Sequence, residues 1–208
     1  KKTIMRRAKT IFYTGYLSIA ILLQLMIGNF PFRFFAYPVN IFIALLWLFA
    51  LWIWYKDYPR KPVVRFLLSS SMTVFTLVAF IVGCMIIGLF PQLSVEEAAS
   101  KDNLWGRLGC YDFMTSWIFV SVLFLLLTHL ALVTFHGALA RRKYRWRFVA
   151  NHAGLWLALF AGFFGASDYQ NLRIPVLKGE ASSRAYSMEG KVVYLDYELE
   201  LLRFDADY

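Results

Sequence analysis

Three histidines are the side chains of this sequence with the clearest capacity for chemistry. His129 and His136 lie in one apolar run, and His152 lies near the start of the next. An ionisable side chain inside an apolar run of bilayer length is unfavourable to bury, so its default interpretation is functional. Neutral imidazole can ligate haem iron, relay protons, or form a hydrogen bond that only stabilises the fold. The residue types alone leave these roles open.

The positions of the histidines indicate which of them can share a ligand. His129 and His136 are seven residues apart, so a helix places them on one face, about 10.5 Å apart along its axis. His136 comes at the edge of its apolar run, where a side chain can reach water. His129 lies deeper, and His152 lies at an intermediate depth on the next, antiparallel helix. We therefore take His152 and His129 as the candidate metal ligands.

Small residues follow His152 at four-residue spacing, namely Gly154, Ala158, Gly162 and Ala166. A helix face of this kind lets another helix, or a flat ligand, approach the backbone closely. Ordinary helix packing is sufficient to explain the spacing. The alternative is that Gly154, Ala158 and Gly162 contact a cofactor beside His152.

The composition predicts a polytopic membrane protein. Of the 208 residues, 60% are hydrophobic and 17% are charged, and the mean hydropathy is +0.55. Soluble domains are about 25% charged. The net charge of +9 does not indicate nucleic acid, because the basic residues cluster between apolar runs, where they set membrane topology. The expected surroundings are a lipid bilayer, with no nucleic-acid partner.

Five apolar segments are long enough to cross a hydrocarbon core about 30 Å thick, which takes roughly 20 helical residues. They cover approximately residues 10–29, 38–55, 66–90, 116–136 and 148–166. We therefore predict an all-α polytopic membrane domain of five transmembrane helices over residues 1–167.

The C-terminal residues have a different pattern. Apolar and polar residues alternate from Lys191 to Leu201, which is typical of a half-buried strand, and Ile174–Glu180 also reads as a strand. Two or three strands alone are marginally stable in water. We predict that residues 168–208 are the start of an extracytoplasmic β domain that continues past the present sequence.

The basic residues also predict an orientation. Fourteen of the 22 lysines and arginines lie in residues 1–9, 56–65 and 141–147, which alternate topology places on one side. Twelve of the 13 acidic residues fall on the other side. The positive-inside rule then predicts a cytoplasmic N-terminus and an extracytoplasmic C-terminal domain.

Several common kinds of chemistry have no motif in the sequence. There is no Cys-x-x-Cys-His for covalent haem attachment, no glycine-rich phosphate loop and no zinc-binding HExxH helix. Of the two cysteines, Cys84 lies in an apolar run and Cys110 in a polar loop, so we predict no disulfide between them. An ordinary hydrolase or a nucleotide-driven pump is not indicated.

An ordered series of motifs runs through about a third of the chain. It comprises YDFMTSWIF at 111–119, a basic loop, FVANHAGL at 148–155, glycines at 162 and 165, and VLKGE at 176–180. In this order the motifs resemble the ResB (CcsB) family of cytochrome c biogenesis proteins. The tryptophan-rich haem-handling motif of the partner family, CcsA, is absent. The resemblance is therefore to a ResB-like chain without its synthase half.

The resemblance implies a location, partners and a ligand. It implies a multi-pass protein of the bacterial cytoplasmic (inner) membrane, in a cytochrome c synthase (haem lyase) complex with a CcsA-like haem-handling membrane protein. Such a complex carries haem b, bound transiently and non-covalently, across the membrane and attaches it to apocytochrome c. The transmembrane histidine that ligates haem in the family matches His152, with His129 as the second choice.

Three other functions are compatible with the residues. The first is a membrane electron-transfer subunit that binds haem b and quinol between the fourth and fifth helices. The second is a non-catalytic scaffold whose histidines are structural. The third, a small-solute transporter, is disfavoured because the sequence shows neither a broken helix nor paired charges inside the membrane.

Overall fold

Long apolar runs form the helices of a first unit, Lys1–Ser167, which is separate from a second unit, Asp168–Tyr208. The computed structural model describes residues 2–57, 61–139, 146–168, 170–187 and 190–205. The helices of the first unit are α1 (Lys2–Ile27), α2 (Val39–Lys56), α3 (Pro62–Leu67), α4 (Ser70–Leu89), α5 (Val95–Ala99), α6 (Leu104–Arg107), α7 (Trp117–Leu139) and α8 (Trp146–Phe164). Two 3-10 turns, Phe32–Phe35 and Cys110–Thr115, precede α2 and α7.

Four of these helices are long and apolar enough to cross a membrane. They are the Lys9–Ile27 part of α1, and α2, α4 and α7. The fifth predicted span is present as α8, but α8 is not among the helices of that length and apolarity in the described residues. Arg147, Asn151 and His152 in its first two turns lower its hydropathy. Four of the five predicted spans are thus helices of suitable length and apolarity, and the fifth is not confirmed.

The third predicted span, residues 66–90, is interrupted, which the sequence analysis did not predict. Helix α3 ends at Leu67, and α4 begins after Ser69, whose backbone is extended (φ −79°, ψ 146°). The last carbonyls of a helix have no partner within it. The carbonyl oxygen of Leu67 instead lies 2.7 Å from Nδ1 of His129 on α7. A side chain from another helix therefore satisfies the backbone at the break.

Helix α7 is the centre of the first unit. In its apolar stretch 61% of the residues are buried, against 11% or 17% in the other three long apolar helices. It contacts α1, α2, α3, α4 and α8. Hydrogen bonds to its backbone supplement the apolar packing, from Tyr16 Oη to the Ser121 carbonyl (2.7 Å) and from Trp156 Nε1 to the Leu127 carbonyl (3.1 Å).

Aromatic side chains hold α8 against α2 and α7. The rings of Trp156 and Phe160 are stacked with centroids 4.6 Å apart, and Trp47 of α2 stacks on both. The buried Asn40 side chain donates a hydrogen bond to the carbonyl of Phe164 (2.8 Å). One side of α8 therefore packs against other helices of this chain.

The two ends of the first unit differ in composition. At the first, α2 and α7 end and α3 and α8 begin, and we call it the basic end after its exposed cations Lys56, Lys61, Arg65 and Arg147. At the other, α1, α4 and α8 end and α7 begins, and we call it the aromatic end after Phe30, Phe32, Phe35, Trp105 and Trp117. Phe30, Phe32 and Phe35 pack against Trp117 and Phe163, so they belong to the core of this end.

The second unit is a three-stranded antiparallel sheet with the order β1-β2-β3. Its strands are β1 (Leu172–Arg173), β2 (Ala181–Ser187) and β3 (Val192–Glu200). The predicted C-terminal strand is thus present as β3, preceded by a turn in which Gly190 has a φ of +80°. Alternating burial holds only for its first half, because Tyr197 and Leu199 are 58% and 43% exposed.

The strand predicted at Ile174–Glu180 is wrong. This stretch connects β1 to β2, and only Lys178 makes an isolated bridge, to Leu201. Pro175 has no backbone N–H to donate to a sheet, and Gly179, with a φ of +80°, turns the chain. The strand lies in the next seven residues instead.

Candidate functional site

All three histidines line one cavity of about 430 Å³ in the first unit. The other lining residues are mostly apolar. They are Leu68, Thr73, Leu77, Leu126, Leu130, Val133, Gly137, Phe148 and Leu155. Ligand sites in proteins are typically cavities of about 300–1,000 Å³ with apolar walls and a few polar groups. We call this the histidine cavity. The fold thus brings together side chains that the sequence places in separate helices.

The histidine cavity lies towards the basic end. His136 and Gly137 come from the last turn of α7, and Phe148 and His152 come from the first two turns of α8. Thr73 contributes from the first turn of α4. The cavity therefore lies at the same end of the first unit as the exposed cations that define the basic end.

His129 is the most buried of the three, with 3% of its surface exposed. Its Nδ1 lies 2.7 Å from the carbonyl oxygen of Leu67, and its Nε2 lies 3.1 Å from the hydroxyl of Thr73. Because a carbonyl can only accept, we assign the ring proton to Nδ1, which leaves Nε2 as the acceptor. Histidines that ligate metals are usually held in this way, with the second nitrogen donating to a backbone carbonyl.

His152 is half-buried and presents the same tautomer. Its Nδ1 donates to the carbonyl oxygen of Phe148, one turn earlier in α8 (2.8 Å), and its ring packs on the Phe148 ring with centroids 3.9 Å apart. In the described residues, its Nε2 forms no hydrogen bond. His152 therefore has a free lone pair in the cavity wall, whereas Nε2 of His129 is occupied by Thr73.

His136 is held at the edge of the cavity by a weaker contact. Its Nδ1 is 3.5 Å from the hydroxyl of Tyr55, which is at the long limit for a hydrogen bond, and the two rings meet edge to face. It is half-buried near the end of α7.

The small-residue face lies away from the cavity. Gly154, Ala158 and Gly162 are exposed on α8 and are not among the cavity lining, and a Cβ at either glycine would meet no atom within 4 Å. The close approach occurs at Gly137 instead. A Cβ there would lie 3.1 Å from two ring carbons of Phe148. Among the described residues, the glycine that borders the histidines is therefore Gly137, and contact of Gly154, Ala158 and Gly162 with a cofactor stays a prediction.

The potential metal ligands in the histidine cavity are imidazole nitrogens. Among the residues that the structure describes, no three His, Cys, Asp or Glu side chains are grouped to hold a metal ion. The histidine cavity instead offers single imidazoles with apolar surroundings. A single imidazole can ligate the iron of a haem, whereas a closed zinc site takes four ligands.

No protein-family model, curated protein or solved structure matches the chain. The resemblance to ResB (CcsB) proteins therefore depends on the sequence motifs alone.

Proposed function

We propose that this chain is a ResB-like membrane subunit that handles haem b during cytochrome c maturation, with a CcsA-like partner and apocytochrome c as the acceptor. One observation carries the proposal: three histidines line one largely apolar cavity beside the basic end. Haem, when bound, supplies an iron whose axial positions take imidazole nitrogen. The lone pair of His152 fits that chemistry.

His152 is the preferred ligand because its Nε2 is free. His129 must first lose the hydrogen bond from Thr73, although that hydroxyl lies 3.4 Å from the Ser69 carbonyl and can turn towards it. Under this proposal the partner protein would supply a second imidazole to the haem iron. Arg147, an exposed cation of the basic end, would attract a haem propionate, since guanidinium pairs well with carboxylate.

A second candidate function is favoured by one specific observation. His129 and His152 line the same cavity, so this chain alone can offer two imidazoles. A membrane electron-transfer subunit with haem b and quinol would use both on a single haem. The two functions differ in where the second axial ligand originates.

An optical spectrum of the purified chain tests this difference. We expect the chain purified alone to retain little haem, and the chain purified with its partner to show the reduced-minus-oxidised spectrum of a bis-imidazole haem b. A full bis-imidazole spectrum from the isolated chain would instead support the electron-transfer function. Absence of haem from both preparations would contradict both functions and leave the scaffold.

The proposed location is the bacterial cytoplasmic membrane, with the N-terminus in the cytoplasm and α8 as a fifth span. The distribution of basic residues supports this orientation. Cys110 is a poor reporter of it, because the side chain is 4% exposed and burial raises the pKa of its thiol. Single cysteines at exposed positions, with both native cysteines replaced by alanine, are better.

We expect an impermeant thiol reagent added to intact cells or spheroplasts to label Ser100→Cys and Asn171→Cys but not Arg147→Cys. All three positions are exposed, so accessibility within the fold is matched. Labelling of all three after lysis is the control. If Asn171→Cys were protected together with Arg147→Cys, α8 would not cross the membrane.

A further inference from the structure

The YDFMTSWIF motif lies at the aromatic end, away from the histidine cavity, where it lines a second cavity of about 430 Å³. This cavity lies between the end of α1, helices α5 and α6, and the turn that precedes α7. Its polar lining includes Gln24, Asn29, Arg107, Tyr111 and Asp112. We call it the aromatic-end cavity, and no function considered above uses it.

A chain of hydrogen bonds fixes the carboxylate of Asp112 in this cavity. The buried Gln24, 2% exposed, accepts from the Trp117 backbone N–H (2.9 Å) and donates to the side-chain oxygen of Asn29 (2.7 Å). The amide nitrogen of Asn29 donates to Oδ2 of Asp112 (3.0 Å), and the Thr115 hydroxyl donates to the same oxygen (2.5 Å). The carboxylate is thus oriented before any ligand arrives.

The same bonds leave the carboxylate without a counter-charge. Both hydrogen bonds are to Oδ2, so Oδ1 accepts none from the described residues. Neither Asp112 nor Arg107 takes part in an ion pair with any residue that the structure describes. The Arg107 guanidinium also makes no hydrogen bond there. One cavity therefore presents a negative and a positive group that do not neutralise each other.

The surroundings place this cavity at the level of lipid headgroups. The apolar stretch of α1 ends at Ile27, between Gln24 and Asn29. The short helices α5 and α6 carry exposed apolar side chains, with Val95 67% and Trp105 51% exposed, next to a polar loop. Aromatic and apolar side chains of this kind mark the boundary between hydrocarbon and water. Phospholipids would reach the cavity from the bilayer.

We propose that the aromatic-end cavity binds a zwitterionic ammonium–phosphate headgroup of a phospholipid, with the ammonium on Asp112 and the phosphate on Arg107. A primary ammonium has three donors, and Oδ1 offers an oriented acceptor. A guanidinium pairs with phosphate through two parallel hydrogen bonds. Phosphatidylethanolamine has both groups. Phosphatidylcholine cannot donate a hydrogen bond to Asp112, and phosphatidylglycerol has no cation for it.

Lipid competition on the purified full chain tests the proposal independently of any haem. The chain in detergent is mixed with fluorescent phosphatidylethanolamine, and unlabelled phosphatidylethanolamine, phosphatidylcholine, phosphatidylglycerol or soluble phosphoethanolamine is added. We expect phosphatidylethanolamine to compete at least about tenfold more strongly than the other two lipids. Loss of one hydrogen bond to a charged group changes affinity by about this factor. Asp112→Asn should abolish that preference, whereas Arg107→Gln should weaken the binding of all three lipids, because each of them carries a phosphate.

Matched variants distinguish headgroup recognition by the aromatic-end cavity from a general effect of charge in this loop. Lys101→Gln and Asp102→Asn change exposed charges of the same loop that do not line the cavity, and should leave the preference intact. If Asp112→Asn fails to fold, Arg107→Gln still tests the phosphate contact, because the Arg107 side chain forms no hydrogen bond or ion pair with the residues that the structure describes. Equal competition by all three lipids, or an affinity for phosphatidylethanolamine that is unchanged in Arg107→Gln, would overturn the proposal. Competition by phosphoethanolamine equal to that of the lipid would assign the cavity to a soluble zwitterion and reject the lipid.

Discussion

Replacing His152 with glycine is expected to lower haem retention by at least about tenfold and to stop cytochrome c maturation. Loss of a side chain that merely supports a metal ligand already lowers affinity about 10- to 100-fold, so loss of the ligand itself should be no smaller. The fold should survive, because among the described residues the His152 ring hydrogen-bonds only to the Phe148 carbonyl of its own helix. Haem per chain, in the chain purified with its partner, and haem-stained cytochrome c measure the two effects.

Two further variants make this test specific. Added imidazole should refill the space left by His152→Gly and restore haem binding. His136→Ala should leave haem retention nearly unchanged, because that side chain lies at the edge of the cavity. His129→Asn removes Nε2 but keeps an amide N–H that can still bond the Leu67 carbonyl. If His129→Asn loses haem while His152→Gly retains it, the ligand is on α7 and our assignment is wrong.

Gly137→Leu is expected to displace the start of α8 and lower haem retention without altering any histidine. A Cβ at position 137 would lie 3.1 Å from the Phe148 ring and 3.2 Å from Cγ2 of Val149, so a larger side chain has no space. Overpacking of this kind typically destabilises by about 1–3 kcal/mol. Because His152 bonds to and stacks on Phe148, its imidazole should move with that ring.

Gly88→Leu provides the matched control, since a Cβ at this helical glycine would meet no atom within 4 Å. The two variants make the same change in side-chain size and differ in the space available. Thermal denaturation and haem content should both fall for Gly137→Leu and stay near normal for Gly88→Leu. Equal behaviour of the pair would show that α7 and α8 are not closely packed at Gly137.

The helices were predictable because bilayer-length apolar runs leave few alternatives, and α1, α2, α4 and α7 have the expected type and position. The break before α4 was not predictable. No proline or glycine marks it, and the Leu67 carbonyl is satisfied by His129, a residue 62 positions away. Strand β2 was missed for a related reason, since the polar sequence ASSRAYS has no alternating pattern and is held by its pairing with β3.

The candidate site was predictable at the level of residue type. His129 and His152 stand out because ionisable side chains are rare in apolar runs. Thr73 and Gly137 do not, since their roles depend on which helices pack together. The face of Gly154, Ala158 and Gly162 illustrates the same limit. Helical periodicity shows that these residues share a side of α8, but it contains no information about what that side contacts.

The central position of α7 has a consequence for how the chain is assembled during synthesis. Helices α1, α2 and α4 leave the ribosome first, yet each contacts α7 more extensively than it contacts the other two. Gln24 of α1 has its backbone donor at Trp117, which is made more than 80 residues later. A polar group without a partner in hydrocarbon is unfavourable by several kcal/mol. A chain that stops before α7 therefore presents polar side chains such as Gln24 to lipid. Insertion of α7 closes the bundle and supplies their missing hydrogen-bond partners.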